Sequence, residues 1–381
     1  MSCELDFDFP LPTVPVNWQA GWIGALPPYG KELAQLRLAC CTAIFDQQGE
    51  KTGSRIGFDA VQTMHQVDKM LAYADKLCQV CSDTATKSSN ALANAHSQLH
   101  RRHAPLEFEW TFPAEPDPKG RLKACCVRCT LPGFEYLCVL TVVCVVLFGA
   151  ADTHRQNGQH LAAIDLYREC KKIIRGRVAQ CIGKVISAAQ WHKLHRDTLP
   201  IQLLPTWLAL LGAKAEHCAQ LSAIMATDPN HVDQLLALTR MASRTVLFVA
   251  RSARRLLVAE HHLRPNQQLM AQDLYTQSIA ESHRLRIQFF LQEADQVIAM
   301  GQAALVRPMM DKCTESADVV WPPNEPMDET DQYTARAVHE KIAELKNTAS
   351  QSVTASMYGN EWTAVSRYLD QLRMLHWSQV L

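Results

Sequence analysis

The stretch that decides the fold reads LPGFEYLCVLTVVCVVLFGAADTH, from Leu131 to His154. No charged residue stands between Glu135 and Asp152, so a helix here is apolar on every side and must be surrounded by protein or lipid. Its uncharged part, Tyr136 to Ala151, gives roughly 24 Å of helix, whereas a bilayer core needs about 30 Å. The length therefore predicts a buried central helix, with a membrane span as the alternative. It is also too long for an ordinary strand.

The composition is that of a soluble globular protein. The 381 residues are 48% hydrophobic and 20% charged, and the mean hydropathy is −0.13. Basic and acidic residues both number 38, so no overall basic excess favours nucleic acid as a partner. The acidic N-terminus lacks the apolar core of a secretion signal, and the C-terminus lacks a Cys-a-a-X prenylation box. The 14 cysteines are interpreted as reduced thiols of a cytoplasmic protein.

The rest of the chain predicts a mostly α fold in a single domain, residues 1–381. A proline- and aromatic-rich extended N-terminal arm covers 1–30, and alternating apolar and polar residues around a proline-rich turn at 113–120 predict a β-hairpin over 106–131. Apolar spacing of three to four residues predicts long helices, packed as stacked α-hairpins. They form central helices over 132–310, including one over 269–305, and C-terminal helices over 331–381, joined by a loop at 316–330.

Two cysteine pairs, Cys78-x-x-Cys81 and Cys126-x-x-Cys129, resemble half of a zinc ribbon. The first pair falls in a predicted helix and the second in a predicted strand, where side chains three apart point to opposite faces. Ordinary buried or half-exposed thiols are therefore the prediction. No catalytic or nucleotide-binding motif stands out, so no catalytic residue, metal or cofactor is assigned. A metal-dependent enzyme using the Cys/His-rich region is kept as an alternative.

Basic residues cluster on the outer sides of two predicted helices. The candidates for a basic surface are Lys171, Lys172, Arg175, Arg251, Arg254 and Arg255. Solvated helix faces account for such runs. The functional alternative is peripheral contact with an anionic membrane, where each charge contributes about 1 kcal/mol close to the surface, or with an acidic peptide.

Several short motifs occur in an order that carries a family resemblance. They are, in chain order, Leu33-Ala-Gln-Leu36-Arg37, Phe108-Glu-Trp110, Phe134-Glu135 before the apolar helix, Arg155-Gln156 with Ala163-Ile164-Asp165, and Leu208-Ala-Leu-Leu-Gly-Ala-Lys-Ala-Glu216. Together they resemble the Bro domain family of ESCRT-associated proteins, to which ALIX and BROX belong. The resemblance rests on the order of the motifs and covers most of the chain.

The resemblance implies an elongated, curved helical domain with a tetratricopeptide-like α-hairpin core and one small β-sheet. It also implies a non-enzymatic cytoplasmic adaptor, recruited to endosomes or other membranes, without a cofactor. In the family, the concave face binds the C-terminal amphipathic helix of an ESCRT-III subunit, a helix-in-groove mode of recognition. A generic α-helical-repeat scaffold for another peptide is the rival interpretation.

Carried over from the family, the groove positions fall at Cys218 or Ala219, at Leu235 and at Thr239. The family prefers an aromatic residue at the first place and leucine at the last. The smaller side chains here remove about 1–3 kcal/mol of apolar contact for each large side chain lost. Further groove candidates on the same helices are Leu208, Leu211 and Leu236. Ordinary core packing between helices is the alternative for all of these positions.

Overall fold

The computed structural model describes residues 32–33, 35–40, 60–86, 108–116, 122–129, 132–182, 201–228, 230–259, 265–323 and 326–355. Residues 32–40, apart from residue 34, are helical. The longer helices are α1 (Ala60–Thr86), α2 (Pro132–Gln156), α3 (His160–Ile173), α4 (Pro205–Ala226), α5 (Val232–Ala259), α6 (Pro265–Ala299), α7 (Val306–Val320) and α8 (Glu329–Ala355). The predicted mostly α fold class is confirmed. The predicted arm over 1–30 and the chain beyond residue 355 lie outside the described residues.

The chain folds into two compact units. One contains the described residues up to Ser222 together with Arg255–Met270, and the other contains Ala223–Arg254 together with the residues from Ala271 onward. The prediction of a single domain over 1–381 stays a prediction.

The apolar stretch forms α2, the central helix of the first unit. Pro132 occupies its first position, where the missing N–H costs no hydrogen bond. Among the described residues, one helical segment, Gly133–Gln156, is long and apolar enough to cross a membrane, and 94% of its most apolar window is buried inside the protein. The prediction of a buried core helix is therefore confirmed. Small thiols let neighbouring backbone come close, since Cys170 Sγ lies 3.3 Å from the carbonyl oxygen of Cys144 on α2.

A glycine turn reverses the chain between α2 and α3. Gly158 has a φ of +75°, a left-handed conformation that ends helices without a Cβ penalty. The N–H of Gln159 donates to the carbonyl of His154 at 2.9 Å, which satisfies a carbonyl at the helix end. This tight reversal lets α3 pack back on α2 and bury its apolar side.

The helix that begins after Gly158 is not a regular α-helix over its whole length. After α3 the backbone widens into a π-helical turn at Ile174–Val178. Ile174 of this turn faces Gly212 of α4, and a Cβ added at Gly212 would lie 3.2 Å from Ile174 Cγ2. The absence of a side chain at Gly212 therefore permits the close approach of α4.

The two described strands are β1 (Phe108–Pro116) and β2 (Leu122–Cys129), paired antiparallel with Trp110 opposite Val127. Both lie within the stretch 106–131 where alternation predicted a hairpin. However, β1 continues to Pro116, although the proline-rich residues from 113 onward were predicted as turn. The register shifts between Phe112 and Glu115, and such an irregularity is where prolines are tolerated in a strand.

Helices α6, α7 and α8 surround the core of the second unit, which includes Phe290, Met309, Cys313 and Trp321. The helix predicted over 269–305 is interrupted, because Gly301 adopts a φ of +75° and a short 3₁₀ turn at Ala303–Leu305 follows. The break lets α7 fold back on α6 and bury both apolar faces.

The loop predicted over 316–330 begins too early, because its first residues belong to helix α7. Helix α7 continues through Val320, because Ser316 and Ala317 face the core and Trp321 N–H donates to the Ala317 carbonyl at 2.8 Å. The prolines that follow Trp321 end the helix. The central helices were predicted to end at residue 310, but helix α7 continues past that residue. The next helix, α8, begins at Glu329.

Candidate partner-binding surfaces

Glu135, in the first turn of α2, is completely buried and accepts hydrogen bonds from three other parts of the chain. Arg37 Nε donates to Oε1 at 2.5 Å and the Tyr73 hydroxyl donates to the same oxygen at 2.9 Å. Trp110 Nε1 donates to Oε2 at 2.5 Å. A buried carboxylate is stable only when it is both paired with a charge and hydrogen-bonded. Here Arg37 supplies the charge, and all three donors supply the bonds.

This Glu135 cluster joins the helix at 32–40, α1, β1 and α2. The guanidinium of Arg37 also lies 5.5 Å from the ring centroid of Phe108, a cation–π contact. The structure therefore brings together the Arg37, Phe108, Trp110 and Glu135 positions of the three N-terminal motifs. These four motif residues are all buried and belong to the core of the first unit.

Sequence reasoning missed Tyr73. Tyr73 lies among the apolar residues of α1 and is completely buried, and its hydroxyl is the only sequence signal of a buried polar partner there. Burial, followed by the negative charge of Glu135, raises the pKa of Tyr73 well above its ordinary value. Tyr73 is therefore a permanent hydrogen-bond donor at physiological pH.

Both oxygens of Glu135 already accept hydrogen bonds, so the geometry is that of a structural tie and not of a proton acceptor for a substrate. Within the described ranges, no group of three or more His, Cys, Asp or Glu residues is placed to hold a metal ion. Cys78 and Cys81 lie in α1, and Cys126 and Cys129 lie in β2.

A second polar cluster lies where α2, α3 and α4 meet. Asp152 Oδ1 accepts hydrogen bonds from Arg155 Nη2 at 2.9 Å and from the Tyr167 hydroxyl at 3.1 Å. The ring of Phe148 packs edge-on against Tyr167 at 5.3 Å, with the buried Lys214 ammonium 5.4 Å from the Phe148 centroid. The sequence did not identify this cluster, because Arg155 and Lys214 belong to two of the quoted motifs whereas Phe148, Asp152 and Tyr167 lie outside them.

The groove candidates on α4 lie beside this second cluster. Leu208, Leu211, Cys218 and Ala219 are all buried. Burial raises the pKa of the Cys218 thiol, which therefore stays neutral at physiological pH. These four side chains act as core residues in this conformation and present little surface to a partner.

The candidates on α5 divide into two kinds. Thr239 is completely buried, whereas Leu235 and Leu236 are partly exposed. Val232, one turn before them, is 37% exposed. The first turns of α5 therefore carry the part of the predicted groove that a partner can contact.

The basic candidates also divide into two kinds. On α3 and the π-helical turn, Lys171 and Arg175 both pair with Glu216, at 2.5 and 2.8 Å, and Lys172 pairs with Glu169 at 3.1 Å. These carboxylates offset much of the positive charge on that side of the protein. On α5, Arg254 and Arg255 are exposed and Arg251 is partly exposed. Helix α5 therefore also presents basic side chains to solvent, at Arg254 and Arg255.

No protein-family model and no curated protein matches the sequence. Solved structures do match. The chain is similar to ALIX BRO1 in a complex with CHMP4C, at a TM-score of 0.55 and 12% identity, over 84% of this chain and 76% of that one. The fold is Bro1-like.

A second match is ALIX in complex with the SIVmac239 PYKEVTEDL late domain, at a TM-score of 0.54 and 11% identity. It covers 84% of this chain but 39% of that longer one. The Bro1-like fold expected from the order of motifs is confirmed. At such low identity the likeness concerns the fold alone, and the Glu135 cluster shows which residues of this chain stabilise that fold.

Proposed function

We propose that this Bro1-like chain is a non-enzymatic adaptor that binds the C-terminal amphipathic helix of an ESCRT-III subunit in endosomal sorting or membrane remodelling. The observation that carries the proposal is the similarity of the fold to ALIX BRO1, whose matching structure is a complex with CHMP4C. The proposal places the protein in the cytoplasm and at endosomes or other membranes, to which its partner recruits it.

The proposed contact lies at the start of α5. Val232, Leu235 and Leu236 follow the i, i+3, i+4 spacing by which one helix contacts another, and all three have exposed surface. Asp233 accepts a hydrogen bond from Gln296 of α6 at 3.0 Å, which fixes this end of α5 within its own compact unit. A fixed helix end reduces the entropic cost of binding a partner.

The groove positions with small or buried side chains reduce the expected affinity. Cys218 or Ala219 stands at the first groove position and Thr239 at the last, where the family prefers larger anchors. Each lost anchor weakens binding by about 1–3 kcal/mol, which corresponds to about 5- to 150-fold in Kd. We therefore expect this chain to bind an ESCRT-III helix more weakly than relatives with the larger anchors.

Fluorescence anisotropy with a labelled C-terminal helix of CHMP4C tests the proposal. We expect saturable binding by the full chain and a loss of about tenfold or more in affinity for Leu235→Asp, because a carboxylate replaces an apolar contact. The matched control is Leu161→Asp, since Leu161 lies on α3 and is 73% exposed. Circular dichroism verifies that both variants fold.

The outcomes separate the two parts of the proposal. If the chain binds no ESCRT-III helix, the generic helical-repeat scaffold becomes the better interpretation. If it binds and Leu235→Asp has no more effect than Leu161→Asp, the ESCRT-III adaptor role stands and the mapping of the contact to α5 is wrong.

A further inference from the structure

Beyond its first turn, which contains Asp233, the outer face of α5 carries arginine and large apolar side chains and no acidic residue. From Gln234 to Ala259 the sequence contains five arginines and no aspartate, glutamate or lysine. At about 100° per residue, five side chains between residues 240 and 251 fall within roughly 100° of one another around the helix, and the exposed Arg255 and Val258 continue the same arc. The five are Arg240, Met241, Arg244, Phe248 and Arg251, which we call the arginine stripe.

The stripe is open to solvent. Met241 is 44% exposed and Phe248 is 54% exposed, while Arg240 and Arg244 are also exposed. The Arg251 guanidinium lies 5.8 Å from the centroid of the Phe248 ring. An exposed phenylalanine and methionine on one helix face are costly to hydrate, so a partner that covers them gains apolar burial.

The side chains of the stripe match the composition of a protein–protein interface. Such interfaces are enriched in aromatic residues, methionine and arginine and depleted of lysine, glutamate and aspartate. Every member of the stripe belongs to an enriched type. An anionic lipid surface attracts lysine as well as arginine, and the stripe contains no lysine. A protein is therefore the better candidate than a membrane.

The stripe and the proposed ESCRT-III contact adjoin at one end, since Leu236 is one turn before Arg240, but their centres lie on different faces of α5. Thr239 lies about 180° around α5 from Phe248 and is completely buried. Leu235 also lies well over 90° from Phe248 around the helix axis. A ligand centred on Phe248 therefore lies on the opposite face of α5 from Thr239, and the following inference does not rest on the proposed function.

We infer that the arginine stripe docks an acidic amphipathic helix of a partner protein. Guanidinium groups pair with carboxylates through two parallel hydrogen bonds, which fixes orientation as well as affinity. Arg240 and Arg244 are one turn apart, so they match carboxylates spaced i, i+4 on a facing helix. Met241 and Phe248 are two turns apart, about 10 Å along the axis, and receive apolar side chains spaced i, i+7.

The probe is a fluorescein-labelled 18-residue helical peptide with leucines at i, i+3 and i+7 and glutamates on either side of them. A peptide of the same composition in scrambled order is its control. We expect the full chain to bind the helical probe at least about tenfold more tightly than the scrambled one. The binding weakens as salt rises, because the guanidinium–carboxylate pairs are partly screened.

Two variants test the stripe itself. Arg240→Glu/Arg244→Glu is expected to weaken probe binding at least about 30-fold, and Phe248→Ala about tenfold. The matched controls are Arg307→Glu/Arg336→Glu and Tyr333→Ala, since these residues are exposed on α7 and α8. The controls are expected to bind within about twofold of the unaltered chain. Phe248→Ala and the control variants keep the affinity of the unaltered chain for the CHMP4C helix.

Several outcomes overturn the inference. Equal binding of helical and scrambled probes, or equal loss in the control variants, shows non-specific charge attraction. Absence of probe binding at about 0.5 mM excludes an acidic helix. Binding to vesicles of 30% phosphatidylserine, lost in Arg240→Glu/Arg244→Glu while the probe does not bind, assigns the stripe to a membrane. A dimer in sedimentation that the same variant dissociates assigns it to a second copy of this chain.

Discussion

Two arginine–phenylalanine contacts, one in each compact unit, have similar geometry and opposite surroundings. Arg37 lies 5.5 Å from the ring centroid of Phe108, and Arg251 lies 5.8 Å from that of Phe248. The first pair is buried and has the carboxylate of Glu135 beside it. The second lies on an exposed helix face whose own sequence offers no acid from Gln234 onward. Because the first pair is part of the core and the second faces solvent, we expect the first to govern stability and the second to govern binding.

The largest expected effect on stability comes from truncating the ring of Phe108, and the same change at Phe248 is the comparison. Phe108→Ala should lower the free energy of unfolding by about 3–5 kcal/mol, because it opens a cavity in the core and removes the ring beside Arg37. Phe248→Ala should change it by less than about 0.5 kcal/mol, since most of that ring faces solvent. Urea denaturation followed by circular dichroism measures both. Similar losses of unfolding free energy in the two variants would contradict the view that Phe108 belongs to the core and Phe248 to the surface.

The next effect comes from removing the buried charge. Glu135→Gln should destabilise the chain by about 3 kcal/mol, because Arg37 then remains buried without its charged partner. Glu344→Gln is the control, since Glu344 pairs with Lys341 at 3.3 Å on an exposed surface. Its cost should stay below about 1 kcal/mol. A Glu135→Gln protein as stable as the control would show that Arg37 does not need this carboxylate.

A smaller effect is expected at Tyr73, with a dependence on pH. Tyr73→Phe removes a hydrogen bond to a charged acceptor and should cost about 1.5–3 kcal/mol at neutral pH. The pKa of Tyr73 is raised in the folded state, so its contribution is complete below the unfolded pKa of about 10. It is lost as pH rises through the higher folded pKa. The stability difference between the two proteins should therefore shrink in strong alkali, and a difference that grows with pH would contradict the assignment.

The smallest expected effect is at the exposed pair. Arg251→Lys keeps the charge and should change the free energy of unfolding by less than about 0.5 kcal/mol. The same substitution at Arg37 should cost clearly more, because lysine lacks the planar group that faces both Phe108 and Glu135. Equal responses in thermal unfolding would mean that burial does not distinguish the two arginines.

The sequence predicted the features that depend on local pattern. The unbroken apolar run predicted α2, alternation predicted strands between residues 106 and 131, and the order of the motifs predicted the Bro1-like fold. These signals suffice because a uniformly apolar helix must be buried and alternating residues suit a sheet with two different faces.

The sequence did not predict which face of a helix is covered by a neighbour. Thr239 was placed in a groove but is buried, and Met241 and Phe248 were not singled out although they are exposed on the same face as the basic candidate Arg251. Periodicity groups residues onto a face, but coverage depends on helices that are distant in sequence. The prediction of a loop over 316–330 was wrong at its start for the same reason. Only the core packing of Ala317 shows that α7 continues.

The Glu135 cluster also sets an order of events during synthesis. Its partners precede it by 98, 62 and 25 residues in the chain. At about 5–20 residues per second on a ribosome, Arg37 emerges roughly 5–20 s before Glu135. Arg37 therefore cannot pair with the carboxylate of Glu135 until the start of α2 has been synthesised. In a nascent chain that stops short of Glu135, Arg37, Tyr73 and Trp110 lack the carboxylate that accepts from all three, so we expect this form to bind a chaperone more readily than the complete chain.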